Sequence, residues 1–260
     1  MLDCASRYKN EEIVGQALHE LINVDKSVQR SDLFVISKVW QDEVEDVEAA
    51  CKRSLEKLKV DYLDLYLVHW PISLREVKEG DVTKYERIPI PMHKIWEQME
   101  ALVEKGLVKN IGVSNFNVQT LWDMLSYAKI KPVVNEIELH PLCAQTELVG
   151  FLKTTGIVPI GYCPIARGAD TSACPDLSQH TAVKSAAEKH GKSGPQVLLN
   201  WGLSRGHVVI PRSSNMDRLK ENIESLNFQL STSEIEALTA VDEGYRICDP
   251  PQWMGHSLFA

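Results

Sequence analysis

Short apolar runs alternate with amphipathic stretches along this chain. The runs are Leu33–Ser37, Leu63–Val68, Ile111–Val113, Val133–Ile137, Val158–Gly161 and Val208–Ile210. They are short and rich in β-branched residues, as strands buried on both faces are. Between them, Val47–Leu58, Ile95–Val103 and Leu121–Tyr127 place apolar residues at i, i+3 and i+4, the stripe of an amphipathic helix. Trp96, Trp122 and Trp201 fall within helical patterns and are predicted to be core. Ser193-Gly-Pro-Gln196 and Ser231-Thr-Ser-Glu234 have the form of capping boxes that open two later helices. Repeated strand–helix alternation predicts a parallel sheet in an α/β fold. The glycine-rich turn of a doubly wound dinucleotide domain is absent, so the pattern favours a (β/α)₈ TIM barrel, read as one domain over residues 1–260.

Each expected strand, a short one at Met1–Leu2 included, leads into a polar or reactive residue. These are Asp3, Lys38, His69, Ser114-Asn115, Glu136, Tyr162 and Arg212-Ser213. In a barrel the C-terminal strand ends converge on one mouth, where chemistry takes place. A lone lysine or histidine at a strand end is ordinarily a solvated loop residue. Recurrence at seven successive ends instead predicts an enzyme site.

Composition narrows the class. The 260 residues are 44% hydrophobic and 25% charged, with a net charge of −8, which argues for solubility and against nucleic acid as a partner. No apolar run reaches membrane-spanning length, and no signal-peptide core opens the chain. The six cysteines (Cys4, Cys51, Cys143, Cys163, Cys174 and Cys248) form no C-x-x-C pair and no zinc-ligand spacing. Scattered cysteines point to a reducing compartment, and a cytoplasmic location is expected. A metal-dependent barrel hydrolase is disfavoured because no ligand cluster has the required spacing.

The strand-end residues also lie within motifs that resemble the aldo-keto reductase family, its aldose and aldehyde reductases in particular. Asp3-Cys-Ala-x-x-Tyr8, with Glu11 and Gly15 beyond, is similar to the family's first signature. Ser37-Lys38-x-Trp40 and Leu63–Val68 with His69-Trp70-Pro71 resemble the next two turns; Lys109–Phe116 resembles the central signature; Ile210-Pro-Arg-Ser213, followed by Arg218 and Asn222, resembles the last. The resemblance implies NADPH-dependent reduction of aldehydes or ketones to alcohols. Tyr8 is then the proton donor, Lys38 the ammonium that lowers its pKa, Asp3 the partner of Lys38, and His69 the group that orients the substrate oxygen and shares in proton transfer. It implies that Tyr162 stacks on the nicotinamide and that Ser114, Asn115 and Glu136 meet its carboxamide, with Cys163 beside the cofactor channel. Arg212, Ser213, Asn215 and Arg218 would surround the adenosine 2′-phosphate, which favours NADPH over NADH; Glu221 and Asn222 would face the adenine. Trp40, Trp70 and Trp253 would line the substrate pocket, with segments 71–92, 165–180 and 244–260 as loops over the mouth. His140 reads as structural, and the implied partner is a small carbonyl compound bound by a monomer.

Two departures from the family pattern matter. Only Met1 and Leu2 precede Asp3, so the barrel is expected to lack strand one, helix one and most of strand two. Exposed strand edges and a fraying terminus then predict reduced stability and weak or absent activity. A non-catalytic NADP(H)-binding or regulatory barrel, or an inactive truncated isoform, is the alternative. Glu136 stands where the family usually has glutamine; a carboxylate only accepts hydrogen bonds, and its charge is expected to favour the oxidised, positively charged nicotinamide ring. Cys163 and Arg167 are milder departures, with burial expected for Cys163.

Overall fold

The computed structural model describes residues 1–80, 82–166, 176–249 and 255–259. Arg167, Cys174 and Trp253 lie outside the described residues. The chain divides into two compact units, Met1–Asn135 with Pro250–Ala260, and Glu136–Asp249.

In the first unit, strands β1 (Leu2–Asp3), β2 (Val35–Val39), β3 (Leu65–Val68) and, after a hairpin of β4 (Leu74–Glu79) and β5 (Val82–Arg87), β6 (Ile111–Ser114) run parallel, in the order β1-β2-β3-β6. Their register pairs Leu2 with Val35, Lys38 with Leu67 and Tyr66 with Ile111. Helices α1 (Glu11–His19), α2 (Val47–Leu58), α3 (Met92–Glu104) and α4 (Val118–Tyr127) intervene. Between them they bury Leu55, Leu58, Ile95, Trp96, Met99 and Leu121. The α2 boundaries are those predicted, because both ends are chemically marked. Asp46 Oδ1 accepts from Ala49 N at 2.9 Å, and Lys59 closes the helix at φ 54°.

In the second unit, β8 (Val158–Tyr162) pairs in parallel with β9 (Val208–Val209), Ile160 opposite Val208. Leu139 N donates to Tyr162 O at 3.2 Å, just beyond strand β7 (Val134–Glu138), which spans the junction of the units. Helices α5 (Thr146–Thr155), α6 (Thr181–His190), α7 (Gly194–Ser204), α8 (Met216–Glu224) and α9 (Thr232–Thr239) follow. Val183, Val197, Leu198, Trp201, Leu230 and Leu238 form their core. Both predicted capping boxes are formed, at Ser193 with Gln196 and at Ser231 with Glu234. Among the described residues no helix is long and apolar enough to cross a membrane.

Two expectations are corrected. Segment 71–92 is not simply a loop: it holds an antiparallel hairpin, Leu74–Glu79 with Val82–Arg87, in register Leu74 to Arg87. Its strands are rich in charge and largely exposed, so no apolar run announces them. Trp122 is not core but 69% exposed. It follows the fully buried Leu121, and one residue along a helix is about 100° of rotation, enough to turn the indole away from the stripe. Strand β2 also begins two residues later than the apolar run and extends to Val39, because Lys38 is buried within it.

Candidate active site

The turn carrying Tyr8 is fastened from beneath. Glu11, 2% exposed, accepts from Ser37 Oγ at 2.6 Å and from Ser54 Oγ at 3.2 Å, so one carboxylate ties the start of α1 to both β2 and α2. A Cβ on Gly15 would stand 2.0 Å from Lys57 O and 2.8 Å from the Leu58 carbonyl carbon. Only glycine lets α1 approach α2 this closely. Ser6 Oγ donates to Glu43 at 2.6 Å, holding the other side of the turn.

The four predicted reductive residues meet. Lys38 is fully buried, and its Nζ donates to Asp3 Oδ1 at 2.5 Å, to Cys4 O at 3.2 Å and to Tyr8 Oη at 3.2 Å. An ammonium has three donors and no acceptor, so the phenol oxygen accepts from Lys38 and its own hydrogen must point elsewhere. Tyr8 is 46% exposed, its ring edge-on to His69 with centroids 5.9 Å apart. His69 follows β3 and is held by burial, then by the charges of Lys38 and Arg7, with its pKa well below the usual imidazole range. Its Nδ1 is buried without a hydrogen-bond partner.

Trp40 and Trp70 are both nearly buried. Trp40 packs edge-on to His69 at 4.9 Å, and Trp70 lies 6.2 Å from Phe259. Asn115 adopts φ 64°, a conformation asparagine tolerates. Its Nδ2 donates to His69 O at 2.9 Å and lies 3.1 Å from Ser114 Oγ. The predicted pair at the end of β6 therefore sits against the histidine strand end.

In the second unit, Ser213, Asn215 and Arg218 gather at the start of α8. Asn215 Oδ1 caps the helix, accepting from Asp217 N at 2.9 Å and Arg218 N at 3.0 Å, and Asn215 N donates to Ser213 Oγ at 3.1 Å. Arg212 and Arg218 are exposed, and neither side chain has a hydrogen bond or ion pair with a described residue. Two uncommitted guanidinium groups beside a helix N-terminus suit a phosphate, although Asp217 sits in the same first turn. Glu221 accepts from Ser193 Oγ, and Asn222 O accepts from Ser225 Oγ at 2.6 Å. Glu136 is buried in β7, burial pushes the Tyr162 phenol well up, and half-buried Cys163 lies with its Sγ 4.0 Å from that of Cys248. Among the described residues no three His, Cys, Asp or Glu side chains cluster as metal ligands.

A sequence model of the aldo/keto reductase family matches residues 1–243. The chain belongs to this family. The aldo/keto reductase described here is 39% identical to aldose reductase B of Dictyostelium discoideum over 269 residues, covering 99% of this chain and 85% of that protein. It is 38% identical to an NADP-dependent D-sorbitol-6-phosphate dehydrogenase of Malus domestica over 99% of this chain and 86% of that one. In three dimensions it resembles the aldose reductase of Giardia lamblia with a TM-score of 0.90 at 34% identity, over 99% of this chain and 89% of that chain. The fold of this aldo/keto reductase is thus the (β/α)₈ class expected from the alternation.

Two features of this family member escape its sequence. Glu138, fully buried, accepts from Ile247 N at 2.7 Å and Cys248 N at 2.8 Å, and lies 2.8 Å from His140 Nε2. It fastens the segment at 247–248 to the end of β7. Arg7 lies over the Trp40 ring, 5.2 Å from Cζ to centroid. Only its place beside Tyr8 in the chain hints at this position.

Proposed function

We propose that this chain reduces aldehydes and ketones to alcohols, with NADPH as reductant and Tyr8 as proton donor. The observation that carries the reading is Lys38, whose buried ammonium joins Asp3 and Tyr8 at 2.5 and 3.2 Å. NADPH, when bound, supplies the hydride. Tyr8, whose hydrogen is directed away from Lys38, holds the proton for the carbonyl oxygen. Lys38 stabilises the phenolate left behind, and Asp3 keeps Lys38 charged and in place. His69 is neutral, so it donates a hydrogen bond to the substrate oxygen rather than a proton. With Nδ1 buried and unpartnered, the ring hydrogen is assigned to Nε2, because an unpaired buried N–H is the costlier orphan. Arg212 and Arg218 would take the 2′-phosphate, Ser114, Asn115 and Glu136 the carboxamide, Tyr162 the nicotinamide face, and Glu221 and Asn222 the adenine.

The relatives' names span a sugar reductase and a polyol-phosphate dehydrogenase, so the substrate is a small carbonyl compound. The dispersed cysteines support a cytoplasmic location, and the family resemblance supports a monomer. The test is NADPH oxidation with 4-nitrobenzaldehyde. Replacing Tyr8 by phenylalanine is expected to lower kcat by about 10²-fold or more, the usual worth of a positioned acid. A Tyr8→Phe variant within twofold of the parent would remove Tyr8 from the role.

A further inference from the structure

The Tyr8 turn places a cation at the edge of the carbonyl site. Arg7 Cζ lies 5.2 Å above the Trp40 ring, Trp40 packs on His69 at 4.9 Å, and His69 meets Tyr8 at 5.9 Å. The guanidinium is therefore linked through the single ring of Trp40 to His69, which in turn meets Tyr8. Its charge reaches His69, where with Lys38 it opposes protonation. Contact with an aromatic ring engages the face of a guanidinium and leaves its in-plane N–H groups available for a planar or tetrahedral oxyanion.

The nearby carboxylates do not claim it. Glu43 is committed to Ser6 Oγ, Trp40 N and Arg53. Asp42 is close enough to feel the Arg7 charge, but burial and Glu43 push its carboxyl up, and it forms no ion pair with Arg7. Arg7 is exposed and has no hydrogen bond or ion pair with any described residue. The chain holds 36 acidic against 28 basic side chains, so a cation without a carboxylate partner at this position is against the prevailing balance.

We propose that Arg7 is a specificity-determining residue that binds an oxyanion, a carboxylate or a phosphate, carried by the carbonyl substrate. The inference rests on the reading of Tyr8 and His69 as the carbonyl site. It predicts that anionic aldehydes are better substrates than neutral ones of the same shape, chiefly through KM, because a contact remote from the reacting carbon is made equally in ground and transition states.

The test compares 4-carboxybenzaldehyde with 4-nitrobenzaldehyde, and glyceraldehyde 3-phosphate with glyceraldehyde, in the full chain and in Arg7→Leu, Arg7→Lys and Arg7→Glu. The anionic-to-neutral ratio of kcat/KM is expected to fall at least about tenfold in Arg7→Leu, as loss of a charge-assisted contact does. It should recover in part in Arg7→Lys and fall further in Arg7→Glu. The two substrate pairs distinguish a carboxylate from a phosphate preference. A ratio unchanged in Arg7→Leu overturns the proposal. If the parent turns over neither aldehyde, the catalytic reading fails by itself, and binding decides the role of Arg7. Benzoate titrated against the intrinsic tryptophan fluorescence of the NADP⁺-treated chain should then saturate, and the response should vanish in Arg7→Leu. An identical titration in both overturns it.

Discussion

Lys38 has no exposed surface, and each of its three ammonium hydrogens meets an oxygen of the first unit. Removing Asp3 strands that charge in the interior, so Asp3→Ala should lower the free energy of unfolding by about 3–5 kcal/mol. Lys38→Met removes the buried charge itself and should cost much less, while abolishing turnover equally. Urea melts of the two variants beside their kcat values check the contrast. At this scale the sequence was largely legible. Asp3, Lys38 and His69 lie in strands or directly after one, whereas Tyr8, in the turn Ser6–Tyr8, is picked out only by the family resemblance. Arg7 was not, because its position depends on Trp40, a contact between residues far apart in the chain. Trp122 is exposed rather than core, because membership of a helical pattern does not by itself say on which side of the stripe a tryptophan stands.

The clearest element-scale device is the Glu138 clamp on residues 247–248. Burial alone would raise the Glu138 carboxyl, but hydrogen bonds from His140, Ile247 and Cys248 outweigh it and bring the pKa below its ordinary 4.5. A carboxyl lowered on folding stabilises the native state above its unfolded pKa and ceases to do so as pH falls through the folded value. Acidification below about pH 4.5 should therefore weaken the chain and free the Ile247 and Cys248 amides for hydrogen exchange. In Glu138→Gln those amides should exchange faster already at neutral pH, and this part of the acid-induced loss should disappear. An acid limb of the same depth in both proteins would refute the assignment. Elements with an apolar stripe and marked ends, such as Val47–Leu58, could be read directly from sequence. The hairpin at Leu74–Arg87 could not, since its charged strands lack the alternation that reports a buried face.

For the whole molecule, the α/β alternation gave the fold class, because each parallel strand must be separated from the next by a helix-length crossover. The division into two compact units was not visible, for the apolar run at Val133–Ile137 passes through the junction without a turn signal. That division separates the proposed chemistry along the chain. All four reductive side chains belong to Met1–Asn135, whereas Arg212 and Arg218 belong to Glu136–Asp249. This separation along the chain predicts that the two properties can be exchanged one without the other. A mosaic gene joining residues 1–135 and 250–260 of this chain to the corresponding middle segment of an NADH-preferring relative should keep the Tyr8-dependent rate while exchanging its preference between the two nicotinamide coenzymes. Natural recombination at the same two joints would let a lineage change its electron source without rebuilding its acid.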